Sequence, residues 1–572
     1  MIYGVDQSTT LPAPAAELRA VVVVPAKDEE LLISACIEAL GSQSGIASGA
    51  YEVLVVLDDC ADDTEAATLR AAASCPGLVL HLLRADGRGV GAARALGMER
   101  GCERLLAVGQ PLGLIASTDA DSRVAPDWLL QQLAAVADGA EAVGGEIFLD
   151  PAGSEGLSDD TLSRRRSDHS RRRSELSAAG VSDHIHFSGA SMGVTARAFA
   201  TVGGLEPLSS LEDEEFFRRL ARGGIEVQRL SSVRVTTSAR TEGRAARGLS
   251  SDLALGEWLA NRTWSAEQFS VERVLATKNR TVSVVLPARE VASTIGRTLD
   301  QLAPLRDAGL IDEVLVVDAD SADGTAGVAE ARGARAVNES ALRPEMGPCA
   351  GKGDAMWRGA AEATGEVIVF CDADSEDFDA SFVFGLLGPL FCEPQLRFVK
   401  GAFRRPLKVG DETIPDGGGR VTELVARPLL NLHFPQLAGF AQPLAGEVAI
   451  DRDLFEKLSV PSGYGVEVAM LIDACRLCGL GALGQVDLGE RQNRHQSLQA
   501  LGVMALEVMV AAQSRIDRAG STGAGAAGRE LLGAQPLPTR LISASPGGET
   551  TSRAANCEER PPLAESPRLS LT

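Results

Sequence analysis

Asp372 and Asp374 stand one residue apart, directly after the apolar run Val367 to Cys371. That run is partly β-branched, as expected of a buried parallel strand. Residues at i and i+2 leave a strand on one side, so both carboxylates face one point. Such a pair suits a divalent cation on a diphosphate, where charge must be neutralised as a bond to the leaving group breaks. Asp374 is assigned to the cation and Asp372 to the cation or a ribose. Twenty residues earlier, Lys352 sits between Gly351 and Gly353. There the backbone can approach a phosphate and the ammonium can pair with it. Downstream, Gly417, Gly418 and Gly419 precede Arg420 and a helical pattern that runs through Thr422. Free amide groups at a helix start favour an anion, and Arg420 adds a fork matched to phosphate or carboxylate. A diphosphate clamp followed by a second anion site points to glycosyl transfer from a nucleotide-sugar onto a small phosphorylated acceptor.

Apolar strands must position these groups. VSVVLPA (282–288) is stopped by Pro287, and VLVVDADSADGT (314–325) ends in Asp320 and Ser321, small and acidic residues able to hold a base and ribose. The same plan appears once already in the first half. VVVVPAKDEE (21–30) carries Pro25, Asp28, Glu29 and Glu30, VLVVLDDCADDT (53–64) carries Asp58 and Asp59, and ASTDAD (116–121) ends in Asp119 and Asp121. A repeat this long is a duplicated domain, since a solenoid unit spans only about 20–50 residues.

The second half resembles the glucosyl-3-phosphoglycerate synthase family over about residues 280–515, through AGKGDAMWR, CDAD, VKGAFRRPL, GGGRVTELVARPLL, QPLAGEVA and GYGVEVAMLID. The resemblance implies a GT-A fold and transfer of glucose from UDP- or GDP-glucose to 3-phosphoglycerate, with Mg²⁺ (or Mn²⁺) and retention of configuration. It implies that Lys352 and Asp372 touch the nucleotide and Asp374 the metal. Gly419, Arg420 and Thr422 would hold the acceptor, with Glu467 facing the sugar hydroxyls. Two departures stand out. Glu290-Val291-Ala292 replaces an Asn-Glu-Glu, which displaces the expected carboxylate to Glu290. In Gln492-Asn493-Arg494-His495, Asn493 takes the place of a metal-binding His; its carbonyl oxygen still suits Mg²⁺, and His495 would bind the acceptor phosphate or reach the metal. The first half resembles the family-2 glycosyltransferases over about 18–245. That resemblance makes Asp28, Glu29, Asp58, Asp59 and Asp119 nucleotide-site residues and Asp121 a metal ligand. Within LEDEEFFRRL, Asp213 would be the base that deprotonates an acceptor hydroxyl.

The expected architecture is therefore α/β: two tandem GT-A domains at 18–245 and 280–518, a helical linker at 246–279, and a disordered tail at 519–572. Among 572 residues the net charge is −23, which argues against nucleic acid and anionic membranes as partners. No signal-peptide pattern or membrane span is read, so a cytoplasmic enzyme is expected, with a homodimer as an assembly common in the resembled family. RRRSDHSRRR (164–173) reads as a solvated face, and Cys475 and Cys478 as buried thiols without a zinc-spaced partner pair. Three rival readings stay open. One is a cell-envelope glycosyltransferase working through the first half, with a vestigial second half. The others are a nucleotidyltransferase and a non-catalytic sensor of nucleotide-sugar or phosphoglycerate. The openings Pro25-Ala26 and Pro287-Ala288 lack the Gly-rich loop of a nucleotidyltransferase, and paired aspartates in both halves disfavour a sensor.

Overall fold

The computed structural model describes residues 2–4, 11–178, 184–243, 247–409, 412–414, 417–491, 497–520, 540–544 and 550–566. It divides into two compact units, Met1–Glu257 and Trp258–Thr572.

In the second unit the run Val282–Ala288 is a central strand, buried along nearly its whole length because both faces of the sheet are covered by helices. Glu313–Asp318 and Arg335–Asn338 lie successively beyond it on one side, and Val367–Phe370 lies on the other, all parallel. The chain thus builds outward and then returns to the far side of its first strand. That reversal opens a crevice at the carboxyl ends of Val282–Ala288 and Val367–Phe370, where α/β sheets bind ligands. Beyond Val367–Phe370 the sheet continues through antiparallel Val448–Asp451, then Phe398–Arg404, Leu483–Glu490 and the edge strand Thr263–Ser265.

The first unit repeats the order. Ala20–Ala26 is flanked by Tyr51–Asp58 and Leu80–Ala85 on one side and by Leu114–Ser117 on the other, all parallel. Antiparallel Met192–Thr195, then Ala142–Leu149 and Val227–Thr237, complete the match. Agreement in strand order, direction and motif position establishes the duplication expected from the sequence.

The stretch 246–279 is more than a helical linker. It holds the helices Leu249–Asn261 and Val271–Thr277, but Thr263–Ser265 pairs with Leu483–Glu490 and Trp264 packs on the second core. The Arg-rich run lies on the helix Asp159–Ala178 with most of its arginines exposed. Cys475 is buried and Cys478 half-buried, and both are free thiols.

A correction concerns the C-terminal stretch. Lack of order does not hold for 540–544 and 550–566, which form strands and a 3₁₀ turn. Glu559–Arg560 pairs antiparallel with Val460–Pro461. Arg560 donates to both carboxylate oxygens of fully buried Asp354 at 2.7 and 2.8 Å, and Trp357 Nε1 donates to the Pro561 carbonyl at 2.9 Å. Asp354 and Trp357 belong to the helix Lys352–Glu362, so this segment braces the helix that carries Lys352. Local composition missed it because the anchoring partners lie some two hundred residues away in sequence.

Arg560→Ala strips Asp354 of two charge-assisted bonds, leaving only Arg358 among its ion-pair partners here. The expected loss is about 2 kcal/mol in the unfolding transition of the second unit, read by chemical denaturation. An unchanged transition would mean that the segment does not brace the helix.

Candidate active site

Lys352 opens its helix because Gly351, at φ +123°, turns the chain as few other residues could. Gly353 is required by close approach, since a Cβ there would collide with the Pro461 carbonyl. The Lys352 ammonium is thereby fixed between two carboxylates, 2.6 Å from Asp372 and 2.7 Å from Glu467. Burial would lower the pKa of this lysine, but Asp372 and then Glu467 raise it above its ordinary value. Burial would likewise raise Asp372, yet Lys352 first, then Arg491 and Arg405, hold its carboxyl well below the usual carboxylate range. Asp374 meets solvent in the cleft mouth. Partial burial and the charge of Asp372 raise its pKa.

These groups line one cavity of about 680 Å³. Pro287 and Asp320 are on its wall, and so are Gly419, Arg420 and Thr422. Gly419 adopts φ +67°, and its carbonyl accepts the Glu423 N–H at 2.9 Å. The helix that follows opens with a π-helical turn, Thr422–Ala426, before Arg427–His433; such wide turns recur at functional sites. The carboxylate clamp and the Gly-Arg anion site, separated by nearly fifty residues in sequence, therefore share a single space.

The structure separates two expected residues from that space. The Glu290 carboxylate accepts the Ala322 N–H at 2.8 Å, and the Ser321 hydroxyl accepts the Glu290 N–H at 2.8 Å. Both tie the two strand-end loops together, and neither lines the cavity. Val291, where the resembled pattern has its carboxylate, does line it. Asn493 and His495 lie outside the described residues.

Sequence reading missed several wall residues, among them two arginines. Arg491 is fully buried, ion-paired with Glu447 and 3.9 Å from Asp372. Arg405 packs over the Phe403 ring, its guanidinium 5.0 Å from the centroid, and its Nε has no hydrogen-bond partner among the described residues. Tyr464 and Asn556 also line the wall. Arg405 lies within VKGAFRRPL and Arg491 next to the Gln492 segment, so position was a signal; Asn556, in the C-terminal stretch, gave none.

In the first unit the aspartate pair sits at the equivalent strand end with different company. Val90, the first residue of the helix Val90–Ala107, occupies the Lys352 position. Asp119 is held at 2.9 Å by Arg94, one turn further along, whose Nε also meets Glu212 at 3.1 Å. Asp121 is 3.0 Å from Arg240, which donates two bonds to Glu29 at 2.7 and 3.0 Å. Burial, and then Asp119, push Asp121 up to about 6 against the pull of Arg240. Asp213 accepts the Gly189 N–H at 3.1 Å and is among the charges acting on Arg94, which places it near Asp119. Asp28 accepts the Ala61 N–H at 2.6 Å and Asp58 the Gly89 N–H at 3.0 Å, while Asp59 pairs loosely with Lys27 at 3.8 Å. Pro25, like Pro287, is the last residue but one of its strand.

The model of glycosyl transferase family 2 matches residues 21–194 and again 283–402, one match in each unit. The chain belongs to glycosyl transferase family 2. Its second half is homologous to glucosyl-3-phosphoglycerate synthases. That of Mycolicibacterium paratuberculosis is 42% identical over 286 residues, 49% of this chain and 87% of the relative. A mannosyl-3-phosphoglycerate synthase structure from Rubrobacter xylanophilus is 43% identical over 55% of this chain and 98% of its own, with a TM-score of 0.49. A Mycobacterium tuberculosis glucosyl-3-phosphoglycerate synthase in complex with Mn²⁺, UDP and glucosyl-3-phosphoglycerate is 36% identical, covering 53% of this chain and 98% of its own, with a TM-score of 0.46. Each unit of this glycosyltransferase combines a family-2 match with a large mixed sheet, and no helix among its described residues is long and apolar enough to cross a membrane.

Replacing Lys352 of the glycosyltransferase by Met leaves Asp372 and Glu467 facing each other without their shared cation. The expected cost is about 3 kcal/mol at pH 7. Asp372 has a depressed pKa in the parent, so its stabilisation is present above the ordinary carboxylate range and lost as pH falls through the lowered value. In the variant, protonation relieves the repulsion, and the gap to the parent narrows as pH drops from 7 towards 4. Denaturation midpoints across that range measure it; a constant gap would assign the pairing to Arg491 instead.

Proposed function

We propose that the second unit transfers glucose from a nucleoside-diphosphate glucose to 3-phosphoglycerate, forming glucosyl-3-phosphoglycerate. One observation carries this reading: the strand-end carboxylates with Lys352 and the Gly419–Arg420–Thr422 site line the same cavity. A donor and an acceptor that are both anions need two separate cationic sites within reach of one bond. The names of the relatives supply the acceptor.

In this reading Lys352 and Arg491 face the diphosphate, and Pro287 and Asp320 border the nucleoside. Asp374 would hold a divalent cation. Its carboxylate is open in the cleft, and a hard oxygen donor fits Mg²⁺ or Mn²⁺. When bound, the cation offsets negative charge on the departing diphosphate. Arg420 and Arg405 grip the phosphate and carboxylate of the acceptor through forked donors. Glu467, already oriented by Lys352, accepts hydrogen bonds from the sugar hydroxyls. The bond between the anomeric carbon and the diphosphate oxygen breaks, and a bond from that carbon to the acceptor hydroxyl oxygen forms. The hydroxyl proton passes to the released diphosphate, and the new bond lies on the face that the leaving group vacated, so configuration is retained. We assign the first unit a separate nucleotide-sugar site with Asp213 as its acceptor-side base.

The full chain, given 3-phosphoglycerate, Mg²⁺ and either UDP-glucose or GDP-glucose, is expected to yield glucosyl-3-phosphoglycerate by mass spectrometry, with GDP-mannose as the competing donor. Asp374→Ala is expected to lower turnover at least about 100-fold, the scale of one lost charge-stabilising group. Arg420→Ala is expected to raise KM for 3-phosphoglycerate about 30-fold, equivalent to about 2 kcal/mol, with the donor KM unchanged. Absence of product from every donor would leave the second unit without this activity, and a shift confined to donor KM would move Arg420 out of the acceptor site.

A further inference from the structure

The duplication gives two aspartate pairs on one scaffold, and they differ in what faces them. In the second unit Lys352 engages the first carboxylate, at 2.6 Å from Asp372, while Asp374 stands open in the cleft. In the first unit both carboxylates are engaged by guanidinium groups of the same unit: Arg94 at 2.9 Å from Asp119 and Arg240 at 3.0 Å from Asp121. Arg240 is also locked to Glu29 by two bonds, at 2.7 and 3.0 Å. Glu29 itself is 6% exposed, so this is a built arrangement and not a surface pair.

The sequence positions explain how the exchange arose. Arg240 is the third residue after the strand Val227–Thr237. The third residue after the equivalent strand Leu483–Glu490 is Asn493, the position assigned above to a metal ligand. At the other end of the bridge, Glu29 of Asp28-Glu29-Glu30 corresponds to Val291 of Glu290-Val291-Ala292. The first unit thus has an acid and a guanidinium where the second has Val291 and Asn493. The guanidinium is permanently charged and donates only, so it cannot ligate a metal ion. A divalent cation on Asp121 would have to displace it from both carboxylates and leave Arg240 beside the ion. The residues of the first unit therefore do not fit the metal expected there.

We infer that Arg240 takes the place of the divalent cation in the first unit, which binds the diphosphate of a nucleotide-sugar without a metal. The inference is independent of the acceptor assigned to the second unit. Arg240 keeps part of its side chain exposed, at 34%. A diphosphate oxygen arriving at that face meets a donor aligned by Glu29 and Asp121, a charge-assisted bond of the kind that guanidinium groups make to phosphate. The two units of one chain would then answer differently to chelation.

Crystals of the full chain soaked in MnCl₂ locate the ion by anomalous scattering. A peak at Asp374 with none at Asp121 is expected. A peak at Asp121 in the unsubstituted chain overturns it. Arg240→Ala frees Glu29 and Asp121, and one additional Mn²⁺ per chain is expected by electron paramagnetic resonance; no gain in that folded variant would show that Arg240 is not what excludes the ion. Should that variant fail to fold, Asp374→Ala still decides. Its residual Mn²⁺ is expected to be zero, and an ion that remains and is then lost on adding Asp121→Asn overturns the inference.

Discussion

A single ammonium group organises the second unit. Lys352 is held between Asp372 and Glu467, which lie on two different elements: Asp372 just beyond the central strand Val367–Phe370, and Glu467 on the helix Val466–Cys478. Lys352 lies on a third, the helix Lys352–Glu362. A buried ion pair is weak evidence for stability, since desolvation offsets much of the attraction. Its value here is positional. Neither carboxylate can turn away without stranding a charge in a low-dielectric space. The bracing segment at Arg560 acts on the same helix through Asp354, so the C-terminal stretch holds the lysine in place although, among its described residues, only Asn556 reaches the cavity.

The two units also share a backbone device. Asp28 and Asp59 in the first, and Glu290 and Asp320 in the second, all adopt positive φ, between 47° and 54°. Non-glycine residues rarely do so, although Asp is among the commoner exceptions. These positions end the first and second parallel strands, where the chain turns sharply beside the crevice. In each unit the side chain of the first of the pair accepts an N–H from the opposite loop, Asp28 from Ala61 and Glu290 from Ala322. The acid thus offsets part of the strain of its own conformation and ties the two strand-end loops together.

Much of this was legible in residue order. Apolar runs ending in Pro25, Pro287, Asp119 and Asp372 located the strands, because burial on both faces leaves few polar residues in such a run. Glycines around Lys352 and before Arg420 marked close approaches that larger residues would block. What remained hidden depended on side-chain direction or on distant partners. Glu290 was read as a ligand-facing acid because sequence shows the charge but not the N–H it accepts. Arg405 and Arg491 were passed over because an arginine within a strand-end motif looks the same whether it meets solvent or a cavity. Order at 550–566 rests on pairing with Val460–Pro461, which no local pattern announces.

The overall charge of −23 opposes the approach of anions at long range, and the geometry shows why it does not decide what enters the cavity. At physiological salt the Debye length is about 8 Å, so carboxylates spread over the surface act weakly inside a cleft. The field there is set by groups within a few ångströms. Lys352 is shared by two carboxylates, Arg491 is paired with Glu447, Arg405 also acts on Asp372, and Arg420 lines the same cavity. On the cavity wall Arg289, Lys352, Arg405, Arg420 and Arg491 offset the five acids Asp320, Glu339, Asp372, Asp374 and Glu467. The wall therefore does not carry the negative excess of the whole chain, and an anion that enters the cavity meets cations and acids in balance.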